Sequence, residues 1–280
     1  MCKTFSVIGG DLRQLTLASL LDQDGFNVNI FGFDSGIDTG NLKKSRSLQE
    51  AAKADFAVLP LPVSQDNITL NAPFSKERIL LNTLIDYAGK NTVILGGKTA
   101  CLPGVYDYFE REELSIKNAV PTAEGAIEIA LSETAHTLFK SKCLVIGFGR
   151  IGKILADRLK GFDCEVSVSA RKYSDFAWID AFGLKRLDST SLDGKISDFD
   201  IIFNTVPSVI LNNKLLGQIP KSTLIIDLAS KPGGVDFNLA KELGVKVIWA
   251  LSLPGKCAPI TSGKIIKETI INILNEMEAI

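Results

Sequence analysis

The segment K-C-L-V-I-G-F-G-R-I-G-K-I-L-A-D-R-L-K-G, Lys142 to Gly161, constrains the fold of this chain more than any other. An apolar β-rich run leads into Gly147, Gly149 and Gly152, after which Ile151, Ile154, Leu155 and Leu159 recur at helical spacing. A G-x-G-x-x-G by itself is a weak signal. Between a strand and an amphipathic helix it becomes the fingerprint of a dinucleotide-binding turn. Gly147 permits the tight turn, Gly149 lets a pyrophosphate approach the backbone, and Gly152 lets helix pack closely on strand. Phe148, Arg150 and Ile151 fill the intervening positions and belong to the same candidate turn. The helix N-terminus adds N–H groups and a partial positive charge for the anion. The competing reading is a glycine turn that holds no nucleotide.

The next strand ends in C-E-V-S-V-S-A-R-K, Cys164 to Lys172, where a carboxylate is expected for hydrogen bonds to a ribose. Ser169, Ala170, Arg171 and Lys172 stand there instead. A carboxylate would repel a 2′-phosphate, whereas Arg171 offers a planar donor fork, Ser169 a hydroxyl and Lys172 a further charge. The pattern predicts NADP(H) rather than NAD(H). The bland alternative is that both cations only solvate a turn.

Two βα alternations follow one another. Apolar runs at Phe5–Ile8, Val28–Phe31, Phe56–Leu59 and Thr92–Leu95 make the first, and Cys143–Ile146, Cys164–Val168, Ile201–Asn204, Leu224–Asp227 and Val245–Trp249 the second. Alternation of this kind predicts an α/β protein with two doubly wound parallel sheets, each covered by helices. The expected division is 1–120 for a substrate-side domain, 121–140 for a connecting helix and 141–261 for the nucleotide domain. In the connector, Thr122 after Pro121 reads as an N-cap, with Glu124 in the positive first turn and a helix running towards Phe139. Residues 262–280 carry Ile266, Ile270, Ile273, Leu274 and Met277 on one helical face. That helix is expected to pack back on the first domain, leaving two lobes and a cleft.

Ligands of open α/β sheets bind at the carboxyl ends of the strands. Those ends read I-I-F-N-T-V-P-S, I-I-D-L-A-S-K-P-G-G and A-L-S-L-P-G-K-C-A-P-I-T-S-G, rich in small residues that let a flat ring lie near backbone. Thr205, Val206 and Pro207 are the expected contacts of a nicotinamide and its ribose, and Ser208 a substrate contact. In the first alternation V-I-G-G-D-L-R-Q lacks the third glycine and is not a second dinucleotide site. Asp11, Arg13 and, after the strand Thr92–Leu95, Lys98 are expected at that sheet's edge. Two cations there suggest an anionic substrate such as a small carboxylate, although each could equally be a solvated surface charge. His136, near the end of the connecting helix, reads as a C-terminal dipole partner or a packed side chain before it reads as a proton relay.

Composition narrows the class. The chain has 280 residues, 46% of them hydrophobic and 22% charged, as in globular proteins. A net charge of -1 without a basic block gives no reason to expect nucleic acid or an anionic membrane. No apolar run approaches the roughly 18 residues that span a bilayer. Five scattered cysteines with no C-x-x-C pair, and a single histidine, suit reduced thiols and no metal site.

The motifs together resemble the family of dipicolinate synthase A subunits. The likeness rests on I-G-G-D-L-R-Q, N-A-V-P-T-A-E-G-A-I, G-F-G-R-I-G, S-A-R-K, F-N-T-V-P-S, D-L-A-S-K-P-G-G-V-D-F and L-P-G-K-C-A-P-I-T-S-G. The resemblance implies oxidation of a dihydrodipicolinate-type compound, a small dicarboxylate, with NADP+ taking the hydride. It implies that the partner is a flavoprotein-like B subunit, and that the protein works in the cytoplasm of the mother cell of a sporulating bacterium. Within it, Arg13 and Lys98 would hold carboxylates, and Thr122 and Glu124 of P-T-A-E-G would orient the ring or accept the proton. Two alternatives stay open, a shikimate-dehydrogenase-like NADPH-dependent reductase and a non-catalytic subunit that senses NADP(H). Oligomeric state is undecided, a homo-oligomer included.

Overall fold

The computed structural model describes residues 3–280. They form two compact units, one running to Asn118 and taking in Ala258–Ile280, the other spanning Ala119–Cys257.

The first unit runs β1 (Thr4–Ile8), α1 (Leu12–Gln23), β2 (Asn27–Phe31), β3 (Lys43–Lys44), α2 (Leu48–Ala51), β4 (Phe56–Val58), α3 (Leu81–Tyr87), β5 (Val93–Gly96) and β6 (Tyr106–Asp107). Its six strands lie in the order β3-β2-β1-β4-β5-β6, all neighbours parallel. Helices cover both faces, so alternate residues of one strand feed opposite cores. Phe5 and Val7 enter one cluster, while Ile8 enters the other with Ala57 and Leu59. That is why the strands read as continuous apolar runs. Strand order reverses direction between β1 and β4, which places the topological switch point over the turns that follow them.

The long helix α4 (Glu112–Glu133) contains the division between the units. It departs from the expected connector of 121–140, and Pro121 lies inside it. Thr122 is therefore a buried mid-helix residue and not an N-cap. A proline inside a helix removes its own N–H from the ladder and crowds the carbonyl four residues earlier, a cost of about 3 kcal/mol that packing has to offset. Apolar residues on both sides of Pro121, Leu114 and Ala119 before it and Ala123, Ala126 and Ala130 after it, are buried and hold the helix through the break. The helix stops at Glu133, short of Phe139, where the Thr134 hydroxyl donates to the Ala130 carbonyl at 2.8 Å.

The second unit continues with β7 (Lys142–Ile146), α5 (Arg150–Gly161), β8 (Glu165–Ala170), α6 (Tyr173–Ala181), β9 (Lys185–Asp188), β10 (Ile201–Asn204), α7 (Asn213–Leu216), β11 (Leu224–Asp227), α8 (Phe237–Leu243), β12 (Lys246–Trp249) and α9 (Leu253–Cys257). Its parallel sheet has the order β12-β11-β10-β7-β8-β9, with the switch point between β7 and β10. Both expected sheets are thus present.

The closing helix α10 (Pro259–Glu276) belongs to the first unit and packs on α1. Ile266, Ile270 and Leu274 are fully buried against Leu17 and Leu21 in one core. The approach is close: a Cβ on Gly263 would stand 2.5 Å from the Arg13 carbonyl oxygen. Arg111 adds two charge-assisted bonds of 2.6 Å to the Glu276 carboxylate.

Candidate functional site

The glycine turn lies over the switch point of the second sheet. Gly147 has φ +96, a backbone conformation natural to glycine, and a Cβ there would stand 2.5 Å from Thr205 Oγ1. A Cβ on Gly152 would stand 2.2 Å from the Gly147 carbonyl oxygen. At Gly149, the N-cap of α5, a Cβ would meet nothing within 4 Å, and no side chain caps the helix. The turn is packed tight behind Gly147 and Gly152 and left open at Gly149, where an anion must approach. This cradle fits a dinucleotide pyrophosphate. Gly152→Ala is accordingly expected to cost about 1–3 kcal/mol through overpacking against backbone. Isothermal calorimetry should show weakened coenzyme binding as the turn is pushed open.

Thr205 closes the other side, its N–H and its hydroxyl both donating to the Ile146 carbonyl at 2.9 Å. Behind it sits a polar network that the sequence did not single out. The fully buried Asp227 carboxylate accepts from Asn204 Nδ2 at 2.8 Å, from the Ala229 N–H at 3.1 Å and from the Gly234 N–H at 2.8 Å. Asn204 Nδ2 also donates to the Val206 carbonyl at 3.0 Å. One buried carboxylate therefore ties the turn after β11 to the turn after β10. The visible signal was a polar residue closing each of two apolar strands, I-I-F-N and L-I-I-D.

At the end of β8 the Ser169 carbonyl accepts the Gly147 N–H at 2.9 Å, while the Ser169 hydroxyl is buried without a hydrogen-bond partner. Ala170 is buried, and Arg171 and Lys172 are exposed. Asp188 aligns with Ala170 across the sheet. Its carboxylate is engaged by the Thr190 N–H at 2.8 Å and hydroxyl at 2.7 Å, bonds that hold it below the usual carboxylate range. Pro207 and Ser208 are exposed in the turn after β10.

The first unit corrects the expectation of two free cations. Asp11 is the N-cap of α1, accepting the Arg13 N–H at 2.9 Å, and its carboxylate also grips Arg13 Nε at 2.9 Å and Nη2 at 2.8 Å. Arg13 is buried, and its Nη2 donates again to the Leu61 carbonyl beyond β4 at 2.5 Å. Its charge is thus matched from within, and Asp11 serves as its support, while among the described residues its bonds to Asp11 and Leu61 engage Nε and Nη2 and not Nη1. Beside it the Tyr108 hydroxyl donates to the Leu59 carbonyl at 2.9 Å, and burial drives that phenol far above its ordinary proton affinity. Gln14 folds back onto the Asp11 N–H at 3.1 Å, with its amide nitrogen buried and unpartnered. Lys98 is exposed in the turn after β5.

Glu124 belongs to the second unit. It is exposed on α4 and paired with Arg158 at 3.4 Å, eight residues and about 12 Å along α5 from its start. The pair lies on an exposed helix flank. His136 is exposed just past the end of α4. Among the described residues there is no group of three or more His, Cys, Asp or Glu fit to hold a metal, and no helix long and apolar enough to cross a membrane.

The chain is 33% identical to the dipicolinate synthase A subunit of Bacillus subtilis (strain 168), over 98% of its own length and 96% of that protein's. It belongs to the family of dipicolinate synthase A subunits. Residues 4–116 match the family model of the N-terminal domain of those subunits. Residues 120–248 match the NAD binding domain of D-isomer specific 2-hydroxyacid dehydrogenases. The crystal structure of the Bacillus subtilis dipicolinate synthase A chain superposes with a TM-score of 0.89 at 32% identity, covering 100% of this chain and 98% of that one. The corresponding crystal structure from Bacillus halodurans gives 0.89 at 30% identity, with 97% of each chain covered. A transhydrogenase from Sinorhizobium meliloti, at 13% identity and a TM-score of 0.72 over 98% and 94% of the two chains, shares the fold. The family read from the motifs is borne out. As a member, the chain is a dehydrogenase-type oxidoreductase whose second unit binds a nicotinamide dinucleotide.

Proposed function

We propose that this protein forms dipicolinate by oxidising a dihydrodipicolinate-type precursor with NADP+ as hydride acceptor. The observation that carries the reading is likeness to the Bacillus subtilis dipicolinate synthase A subunit along nearly the whole chain. Support for the phosphorylated coenzyme comes from the rim of β8, where Ala170 replaces the ribose-binding acid and Arg171 and Lys172 are exposed next to it. In this reading Gly147, Phe148, Gly149, Arg150, Ile151 and Gly152 hold the pyrophosphate. Ser169, Ala170, Arg171 and Lys172 hold the adenosine end, and Thr205, Val206 and Pro207 the nicotinamide ribose. When bound, the nicotinamide accepts the hydride.

The substrate loses one hydride and one proton and gains an aromatic ring, so much of the driving force lies in the product. The protein's part is alignment. Arg13, through Nη1, and Lys98 are assigned to the carboxylates, with Ser208 and Thr122 as further substrate contacts. Glu124, held by Arg158, is left out of the assignment. We place the protein in the cytoplasm of a sporulating mother cell, working with a flavoprotein-like B subunit.

The test is NADP+ reduction with the freshly generated aldol product of pyruvate and aspartate semialdehyde, with and without a B subunit. NADPH should appear in step with the ultraviolet band of dipicolinate. Coenzyme binding with no turnover in either arm would make a sensing role the better description.

A further inference from the structure

Lys98 follows Gly96 and Gly97 at the carboxyl end of β5 with φ +59. That is the left-handed region, which costs a side-chain-bearing residue and which glycine adopts freely. One carboxylate holds the turn in this state. Asp107 accepts from the N–H of Lys98 at 3.0 Å, of Thr99 at 2.8 Å and of Phe109 at 2.8 Å. The same carboxylate thereby fixes Phe109, whose ring centroid lies 5.0 Å from Lys98 Nζ, within cation–π range. The turn is joined to the switch point of its own sheet: the Gly97 N–H donates to the Pro60 carbonyl at 3.1 Å and the Val63 N–H to the Gly97 carbonyl at 2.8 Å. Arg13 bonds the same loop at Leu61, but with its charge matched by Asp11. Among the described residues Lys98 forms no such ion pair with a side chain.

Resting on the assignment of Arg13 and Lys98 to the substrate carboxylates, we infer that Lys98 is placed for that task by two positioning residues, Asp107 and Phe109. The left-handed backbone is retained because the ammonium is needed at that point, at some expense in stability. An enzyme site that stores backbone strain in this way trades stability for placement of one group.

The probe is dipicolinate, titrated by calorimetry into the full chain with NADP+ present, alongside thermal midpoints. Lys98→Gly should raise the midpoint by about 2–4 °C while weakening dipicolinate about tenfold or more. Lys98→Arg should keep most of the affinity. Phe109→Leu and Asp107→Asn should weaken dipicolinate without changing the NADP+ dissociation constant, and Phe109→Trp, which keeps the aromatic face, should restore it. Lys98→Gly that binds dipicolinate like the parent, or that melts lower, would overturn the inference. A parent chain that binds NADP+ but no dipicolinate would instead sink the substrate reading, and the inference with it.

Discussion

Arg171→Ala is expected to weaken NADPH binding by about 1.5–3 kcal/mol, roughly tenfold to a hundredfold, and to leave NADH binding nearly unchanged. The physical ground is a difference between two ligands at one rim. A 2′-phosphate accepts charge-assisted bonds from the guanidinium fork, while a ribose hydroxyl at the same place gains little from it. Ala170 contributes no charge, and the Asp188 carboxylate aligned with it is turned onto the Thr190 N–H and hydroxyl. Nothing at the end of β8 itself then opposes the phosphate. Fluorescence titration with both coenzymes checks this, and equal losses for the two would count against NADP specificity. Binding of NADPH should also fall more steeply with added salt than that of NADH, because Arg171 is exposed and its field is screened over about 8–10 Å.

Asp11→Ala should be the most destabilising single change at the first sheet, at about 3 kcal/mol. Breaking an ion pair from one side strands the other charge, and here the stranded guanidinium is 10% exposed. Asp11 itself is 33% exposed, so water can partly relieve the loss and the low end of the usual range applies. The same change removes the N-cap of α1, worth about 1 kcal/mol. Asp11→Asn separates the two contributions, since asparagine caps a helix well but carries no charge. If urea midpoints show the alanine and asparagine variants equally stable, the cap contributes little, and an asparagine variant as stable as the parent would mean that the charge pairing contributes little. Both variants should retain NADP(H) affinity, because the altered pair lies in the first unit and the glycine turn in the second.

Sequence patterns exposed most of the two sheets and missed β3, β6 and β9. Those three are edge strands of two to four residues with polar sequences, K-K, Y-D and K-R-L-D. Edges carry little apolar burial, and apolar burial is what periodicity detects. Thr122 was misread for a related reason. Pro-Thr-x-Glu looks locally like a helix start, yet buried residues on both sides of Pro121 keep α4 continuous. Asp11 and Arg13 stood two positions apart in plain view. What their letters did not disclose is that each consumes the other's charge, with the Leu61 carbonyl, 48 residues away, completing the arginine's bonds.

By itself the sequence determined the architecture, the nucleotide turn and the family. Those follow from short-range sterics, from glycine positions that exclude a side chain, and from alternation of apolar runs along the chain. Only the tertiary structure decided which charged groups are paired within the protein and which are not. It paired Glu124 with Arg158 and Arg13 with Asp11. Among the described residues it left Lys98 and Arg171 outside any ion pair with a side chain, because charge compensation depends on neighbours that folding alone brings together.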